Sequence, residues 1–374
     1  MLTRNVRVYP LTLVMLAGVM LADRSAFAQS QLAWAKIVAN PGGRLDWSSV
    51  KNLIVYDKAG SDSYYDVYTM AKDGSGSQCL TCGKPIPQLN NGNPAWDPTG
   101  SYIVFQSQDP SLAFLPVEKQ AIATRMTSPG WGTNNNLWLM TSDGSQFWQL
   151  TNVASGMGTL HALFSHGGTK LLWSEKIGLV GLAEQWTIKL ADLVWINGVP
   201  RLQNLTLIQP LGINIFYETH DFSPDDRKIL LSAGFENGDP SASPLDIYVY
   251  DLSAGTLQDL TNTPTEYDEH AHFTPDGSKI VWASSRNITL TRSYFVPFLD
   301  YWIMNADGSN QQRVTYFNDP TAPEYYANGL LTTDFSFGPT SQWMFSRLEV
   351  TVTDLPQYNN VAEVIAVAKL KTAP

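Results

Sequence analysis

The chain has 374 residues, of which 24 are Lys or Arg and 34 are Asp or Glu, so its formal net charge is −10 at pH 7. Such an acidic protein is not drawn to phosphate backbones or to anionic lipid, which argues against nucleic acid as a partner. It carries 27 Gly, 22 Pro, 12 Trp and 16 Tyr. This composition and the scarcity of 3.6-residue apolar periodicity predict short strands and turns, and one all-β unit can be this long.

The N-terminus has the pattern of a cleaved export signal. Arg4 and Arg7 precede an apolar run from Leu11 to Leu21, and residues 26–28 read Ala-Phe-Ala, a small-x-small cleavage sequence. The run is about 11 residues, well short of the roughly 20 that span a bilayer as a helix. We therefore predict a signal peptide over residues 1–28 and a periplasmic or secreted protein over residues 29–374, without stable membrane insertion.

A module made of an aromatic residue, a turn and an apolar strand recurs along the chain. Examples are AWDPTGSYIVF from Ala95 and HFTPDGSKIVW from His272. A period of about 40 to 60 residues indicates stacked supersecondary units. The six anchor aromatics are Trp47, Trp96, Phe164, Phe222, Phe273 and Phe335.

A second module follows each first one and predicts a hairpin, as in DIYVYDLSAGTLQDLT from Asp246 and DYWIMNADGSNQQRVT from Asp300. Asp-Gly between two alternating runs is a strong hairpin signal. Two modules make about four strands, which is one propeller blade. The last hairpin module, from Ala362, has one strand only, and we predict that Leu32 to Ala39 supplies the other and closes the ring.

The aromatic-Ser-Pro-Asp-Gly turn and its Lys-Ile-Val-Trp strand, alternating with the Asn-Ala-Asp-Gly-Ser hairpin, resemble the WD40-like repeat of the TolB-type six-bladed β-propellers. The resemblance covers nearly all of residues 32–371 and implies a single all-β domain, a six-bladed β-propeller of four-stranded antiparallel blades. The repeats begin close to the predicted cleavage site, so we expect no α/β domain before them, unlike in TolB. Prolyl oligopeptidases also contain propellers, but this chain has no Gly-x-Ser-x-Gly nucleophile elbow.

Four of the five histidines lie in neighbouring columns when the anchor modules are aligned. His161 and His270 stand three residues before their anchors, His220 two before and His272 one before. We take these positions as the starts of the inner strands, which converge on one mouth of the channel. Imidazole and carboxylate there suit a divalent cation, Mn, Zn or Ca. The candidate ligands are His161, His220, His270, His272, Asp221 and Glu269, and Glu218 and Asp268 are candidates for the rim.

Two interpretations of these columns stay open. In location, the histidines resemble those of the β-propeller polysaccharide lyases, in which a metal at the channel mouth neutralises a uronate carboxylate. In the structural interpretation, Asp46, Asp221 and Asp334 share the column before the anchor because each caps a turn, and the histidines only fill polar slots between crowded strands.

Cys79 and Cys82 are the only cysteines of the chain. An isolated pair in an oxidising compartment favours a disulfide, and Gly83 stands where haem attachment needs His. A zinc site would need two further ligands nearby. We predict a local disulfide at the exit of the first blade.

Aromatic residues in the irregular insertions, Trp131, Tyr325 and Tyr326, are candidates for a rim that binds sugar rings or peptides. The main functional hypothesis is a binding or scaffold protein that takes a protein or carbohydrate ligand on one face of the ring. The alternative is a metal-dependent lyase or hydrolase that acts on a polysaccharide or oligosaccharide at the channel mouth.

Overall fold

Strands make up the regular structure that the repeats predict. The computed structural model describes residues 31–111, 126–180, 183–234, 245–289, 297–338, 340–351 and 361–371, so the predicted signal peptide lies outside the described residues. Within these ranges, 24 β-strands form six four-stranded sheets whose paired strands are antiparallel. None of the described residues belongs to a helix that is long and apolar enough to cross a membrane.

Each sheet is one blade, and its strands follow one another from the ring axis outward. In that order, blade 1 contains β2 (Leu45–Ser48), β3 (Leu53–Ala59), β4 (Tyr65–Ala71) and β5 (Gln78–Cys79); blade 2 contains β6 (Asn91–Trp96), β7 (Tyr102–Gln108), β8 (Asn135–Thr141) and β9 (Phe147–Gln149). Blade 3 contains β10 (Gly158–Phe164), β11 (Lys170–Val180), β12 (Ala183–Ile196) and β13 (Val199–Ile208); blade 4 contains β14 (Phe216–Phe222), β15 (Lys228–Gly234), β16 (Leu245–Asp251) and β17 (Thr256–Asp259). Blade 5 contains β18 (Asp268–Phe273), β19 (Lys279–Ser284), β20 (Asp300–Asn305) and β21 (Gln312–Arg313); blade 6 contains β22 (Leu330–Phe337), β23 (Trp343–Thr351), β24 (Val361–Leu370) and β1 (Leu32–Ala39).

The ring closes as predicted, because β1 completes the blade that the C-terminal strands begin. It pairs antiparallel with β24, from Leu32 opposite Leu370 through Ala35 opposite Ala368 to Ala39 opposite Ile365. Inner strands of neighbouring blades contact each other around the ring, and β2 of the first blade contacts β22 of the last. The first and last parts of the described chain therefore share one sheet.

Apolar side chains fill the spaces between blades. All six anchor aromatics are buried, and each packs on the neighbouring blade. Phe222 contacts the core of blade 3, and Trp47 stacks on Phe345 of blade 6 with ring centroids 4.7 Å apart. Offset and edge-on aromatic pairs stabilise such contacts beyond the area that they bury. The anchor column therefore forms the interface between blades.

Five inner strands contain β-bulges, which turn side chains toward the ring axis. The register shifts in β6, β10, β14, β18 and β22, and the bulged residues Asn93, His161 and His270 have φ of 51°, 47° and 54°. Bulges re-aim side chains next to functional sites, and Asn and His tolerate positive φ better than most residues. The histidines thus lie in the middle of their strands, and the alignment was wrong to place them at the strand starts.

Aspartates of the column before the anchor connect neighbouring blades. Asp46 Oδ2 accepts a hydrogen bond from the backbone N–H of Trp96 at 2.9 Å, and Asp221 Oδ2 accepts one from that of Phe273 at 2.9 Å. In both cases the donor is the anchor of the next blade. These two carboxylates therefore have a repeated structural role, but it is to connect blades rather than to cap a turn as the aspartate column predicted.

Candidate functional site

The inner strands surround a cavity of about 540 Å³ on the ring axis. All six inner strands line it, together with the turns that follow them, where Pro98, Pro224 and Pro275 stand. Ser48 and Asn93 add hydroxyl and amide groups to the lining. The volume falls in the range of roughly 300–1,000 Å³ that is typical of small-molecule sites.

Three histidines from successive blades meet at the inner end of this cavity. His161, His220 and His270 are 8%, 5% and 7% exposed, and one ring nitrogen of each lies within 4.8 Å of those of the other two. The ring centroids are 5.8 Å apart for His161 and His270, 5.7 Å for His220 and His270, and 6.3 Å for His161 and His220. Residues separated by about fifty positions or more in sequence thus form one cluster.

The second nitrogen of each ring has its own polar partner. His161 Nδ1 lies 3.2 Å from Glu218 Oε1, and His270 Nε2 lies 3.2 Å from Glu269 Oε2. His220 Nε2 lies 2.5 Å from Ser232 Oγ. Histidines that ligate a metal commonly donate their other N–H to a carboxylate or similar acceptor, which fixes the tautomer and the ring orientation. The outer nitrogens are therefore occupied, and the inner nitrogens face one another.

Asp334 joins this cluster, although the sequence assigned it to the structural aspartate column. Its Oδ1 lies 3.6 Å from His161 Nε2 and 3.5 Å from His270 Nδ1. The connecting role that Asp334 would have toward blade 1 is filled by Ser336, whose hydroxyl accepts a hydrogen bond from the Trp47 N–H at 3.2 Å. The sequence gives no signal of this exchange, because Ser48 and Ser223 likewise stand two residues after Asp46 and Asp221.

The buried Arg347 and the half-buried Arg44 form ion pairs with Asp334 from the other side. Its Oδ2 lies 3.9 Å from Arg44 Nε and 3.6 Å from Arg347 Nη1. Arg347 also pairs with Glu349 at 2.8 Å and with Glu363. This ionic network fixes the Asp334 carboxylate and leaves Oδ1 directed at the two imidazoles.

The histidines differ in their affinity for protons. Burial lowers the pKa of His161 to about 3, against the attraction of Asp334. Burial, helped by the neighbouring His270 and His161, also lowers the pKa of His220 well below its usual value. Burial acts in the same sense on His270, but the carboxylates Glu269 and Asp334 outweigh it and raise the pKa of that ring. Two imidazoles are thus neutral at pH 7 and available as ligands.

The pKa values of the acids in the cluster also shift in different directions. Burial would raise the pKa of Glu269, but the adjacent His270 lowers it to about 2. Burial would likewise raise the pKa of Asp334, but His270, His161 and the two arginines hold it well below the ordinary value. Burial and the neighbouring Glu269 carboxylate raise the pKa of Glu218 well above its ordinary value. The pKa values of the two glutamates are therefore shifted in opposite directions.

The donor set fits a divalent transition metal. Zinc–imidazole bonds of about 2.0–2.1 Å place the nitrogens of a tetrahedral site roughly 3.4 Å apart. The contacts of Asp334 Oδ1 with His161 and His270, at 3.6 and 3.5 Å, match that separation. Three imidazoles and one carboxylate suit Zn, Mn or Fe better than Ca, which prefers oxygen ligands only.

His272 and Asp221, two further predicted ligands, line the cavity as a separate pair. His272 Nδ1 lies 3.6 Å from Asp221 Oδ2, and its ring contacts Phe335 edge-on at 4.8 Å between centroids. The His272 side chain is 27% exposed, more than those of the three clustered histidines. The structure therefore places this pair on the cavity wall beside the cluster.

The predicted rim residues lie elsewhere. Asp268 is fully buried and accepts hydrogen bonds from Trp282 Nε1 and Thr263 Oγ1, each at 2.9 Å. Among the described residues that line the cavity, Trp131, Tyr325 and Tyr326 are not found. Glu218 lies behind His161 rather than at a rim. The positions of insertion loops do not follow the repeat, so the alignment had no means of placing them.

The two cysteines lie at the outer strand of blade 1, whereas the clustered histidines lie on the inner strands of blades 3, 4 and 5. A disulfide joins Cys79 and Cys82. The disulfide spans the turn that follows β5, which is where the sequence predicts a local disulfide.

Solved structures with the same architecture place the fold among known proteins. TolB from Acinetobacter baumannii superposes with a TM-score of 0.51 at 14% identity, over 87% of this chain and 65% of its own length. A puromycin-hydrolysing peptidase of Mycobacterium tuberculosis gives a TM-score of 0.51 at 8% identity, over 90% of this chain and 52% of its own. The chain has the TolB-like six-bladed β-propeller fold.

This TolB-like propeller also resembles an oligogalacturonate lyase in complex with manganese, with a TM-score of 0.49 at 13% identity, over 91% of this chain and 95% of the other. No family model matches the chain. At these identities the similarity concerns the fold, and the chemistry of the site has to be argued from its own residues.

Proposed function

We propose that this propeller is a metal-dependent enzyme of the lyase or hydrolase class that acts on a small oligosaccharide in the central cavity. One observation carries the proposal: three imidazoles and a carboxylate from four blades converge, and each imidazole has a separate partner on its second nitrogen. Buried histidines in a structural role would also have hydrogen-bond partners, but that role does not require one nitrogen of all three rings to lie within 4.8 Å of the other two. The metal ligands would be His161 Nε2, His220 Nδ1, His270 Nδ1 and Asp334 Oδ1.

A bound divalent cation supplies Lewis-acid polarisation of a substrate oxygen. Glu218, Glu269 and Ser232 orient the three rings, and Arg44 and Arg347 hold the Asp334 carboxylate. His272, paired with Asp221 at 3.6 Å on the cavity wall, is the group that accepts or returns a proton at the substrate. The hydroxyl and amide groups of the lining supply hydrogen bonds to a polyhydroxylated ligand.

The charge of the cavity also limits the substrate. Its lining includes Asp46, Asp221 and Asp334, and among the described residues it contains no Lys or Arg. The metal would be the site's cation, so one carboxylate of a ligand could be accommodated there. A second anionic group would face the aspartates. We therefore expect a neutral or singly charged oligosaccharide to be preferred over a polyanion.

Metal analysis of the purified protein tests the proposal. The wild type, exposed separately to Mn²⁺, Zn²⁺ and Fe²⁺ and then desalted, should keep one ion per chain with at least one of these metals. His220→Ala should lose that ion, whereas His166→Ala, a histidine outside the cluster, should retain it. Incubation with neutral and uronate-containing oligosaccharides should then yield unsaturated sugars or new reducing ends, and a chelator should abolish them.

A metal-free wild type, or equal metal content in both variants, would overturn the proposal. A binding or scaffold function on the same face of the ring would then be the better account, since it requires neither the metal nor turnover.

A further inference from the structure

A clasp between a polar residue and a threonine recurs at the outer strand of the blades. Thr261 Oγ1 donates to Asp246 Oδ1 at 2.9 Å in blade 4, and Thr315 Oγ1 donates to Asp300 Oδ1 at 2.7 Å in blade 5. Blade 1 has the same clasp, with Thr81 Oγ1 donating to Asp66 Oδ1 at 2.6 Å. In blade 2 an asparagine replaces the aspartate, since Thr151 Oγ1 donates to Asn136 Oδ1 at 3.2 Å. One side-chain oxygen is therefore sufficient for the structural role.

The second carboxylate oxygen of the clasp differs between blades 1 and 5. In blade 5, Asp300 Oδ2 lies 2.7 Å from Arg313 Nη2, so a guanidinium balances its charge. The strand register pairs Trp302 with Arg313 and Tyr68 with Cys79, so Cys79 occupies the position of that arginine in blade 1. Asp66 Oδ2 instead lies 3.5 Å from Cys82 Sγ. Blade 1 thus has sulfur where blade 5 has a cation.

The Cys-Leu-Thr-Cys-Gly turn arranges both sulfurs around this oxygen. The Cys82 N–H points at Cys79 Sγ at 3.1 Å, and Gly83 follows with φ of 67°. One atom each of Asp66, Cys79 and Cys82 lies within 4.8 Å of the other two. A backbone N–H directed at sulfur favours the thiolate, which is the form that binds metals. Cys82 is exposed, so a reductant and an ion can reach the turn.

We propose that reduction of the Cys79–Cys82 disulfide converts this corner of blade 1 into a binding site for a thiophilic divalent cation such as Zn²⁺, with Cys79 Sγ, Cys82 Sγ and Asp66 Oδ2 as ligands. A dithiol reductant transfers two electrons and two protons to the disulfide and becomes a disulfide itself. The two thiols release their protons as the ion binds. The ion then balances the Asp66 carboxylate as Arg313 balances Asp300 in blade 5.

This site is independent of the central cavity, so its test uses a protein without the histidine cluster. The variant His161→Ala/His220→Ala/His270→Ala, reduced with a phosphine and kept free of oxygen, is titrated with Co²⁺. Thiolate ligation produces a near-ultraviolet sulfur-to-cobalt charge-transfer band, which histidine or carboxylate ligands do not produce. We expect this band to saturate at one equivalent in the reduced protein and to be absent in the oxidised protein. If the triple variant does not fold, the wild type serves, because the band reports only thiolate ligands; the band is then expected to saturate at up to two equivalents, since the histidine cluster also takes up Co²⁺.

Asp66→Asn is the decisive variant, because Asn136 shows that the clasp accepts an amide. We expect Asp66→Asn to keep the fold and to weaken Co²⁺ binding about tenfold or more. Asp246→Asn, the same change in the clasp of blade 4, should leave the titration unchanged. Absence of the band in the reduced protein would overturn the proposal, and so would a band of equal affinity in Asp66→Asn. Neither result bears on the metal at the histidine cluster.

Discussion

At the scale of the residue, one column of the repeat serves two different purposes. Asp46 and Asp221 accept backbone hydrogen bonds from the next blade, whereas Asp334 turns toward His161 and His270. The difference depends on neighbours that are distant in sequence. Ser336 takes over the contact with blade 1, and Arg347 holds the freed carboxylate. Equivalent positions in a repeat can therefore have unrelated chemistry.

The assignment of Asp334 as a ligand predicts a selective loss of metal affinity. Asp334→Asn replaces a charged ligand by a neutral amide, so the dissociation constant for the metal should rise by at least the roughly 10- to 100-fold that is typical when a residue behind a ligand is lost. The matched control is Asp46→Asn, which lies in the same column but contacts the backbone of Trp96. Its metal affinity should equal that of the wild type. Isothermal titration of the metal-free proteins measures both, and equal losses in the two variants would contradict the assignment.

At the scale of the element, the bulges decide which side chains reach the axis. In β10 and β18 the register shift spans His161 and His270, whereas in β14 it spans His220, one column later in the alignment. The sequence columns therefore included the three histidines that the structure brings together, but they did not show where in the strands these histidines meet. The rest of the fold was predictable because anchor aromatics and Asp-Gly turns repeat locally. Bulges and insertion loops break that period. The prediction that the histidines begin their strands was therefore wrong, and the sequence could not show where Trp131 and Tyr326 lie relative to the cavity.

Closure of the ring by β1 predicts a stabilising cross-link. Ala35 and Ala368 face each other across β1 and β24, so Ala35→Cys/Ala368→Cys places two cysteines at cross-strand distance. Their disulfide would join the two ends of the ring and should raise the free energy of unfolding by roughly 2–5 kcal/mol. Denaturant unfolding, with peptide mapping to verify the pairing, measures the effect. The single variant Ala35→Cys should show no gain, and failure of the folded double variant to form the bond would contradict the register.

At the scale of the whole molecule, the propeller gathers ionisable groups from different blades along one axis. His161, His220 and His270 come from the inner strands of blades 3, 4 and 5, and Asp334 and Arg347 come from blade 6. These residues are far apart in sequence, so the site exists only when blades 3 to 6 have packed together. The protonation of the axis and the stability of the fold are therefore coupled.

This coupling predicts that the metal-free protein loses stability as the pH falls from 6.5 toward 4. Burial lowers the pKa of His161 to about 3 from an ordinary value of 6.5. Between these values the unfolded chain binds a proton that the folded chain refuses, which costs up to about 3–4 kcal/mol of stability by pH 4. His220 acts in the same direction, and His270, whose pKa is raised, acts in the opposite one.

The measurement is the melting temperature of the metal-free protein at intervals from pH 7 to pH 4. The variant His161→Asn removes the titrating ring and should flatten the profile, so that its melting temperature exceeds that of the wild type only at the acid end. His166→Asn, whose histidine side chain is 50% exposed, should follow the wild type. An identical slope in His161→Asn and the wild type would mean that His161 is not held neutral on the axis. The imidazole would then be protonated in the folded state, and the cluster would need a different source of neutral ligands for the metal.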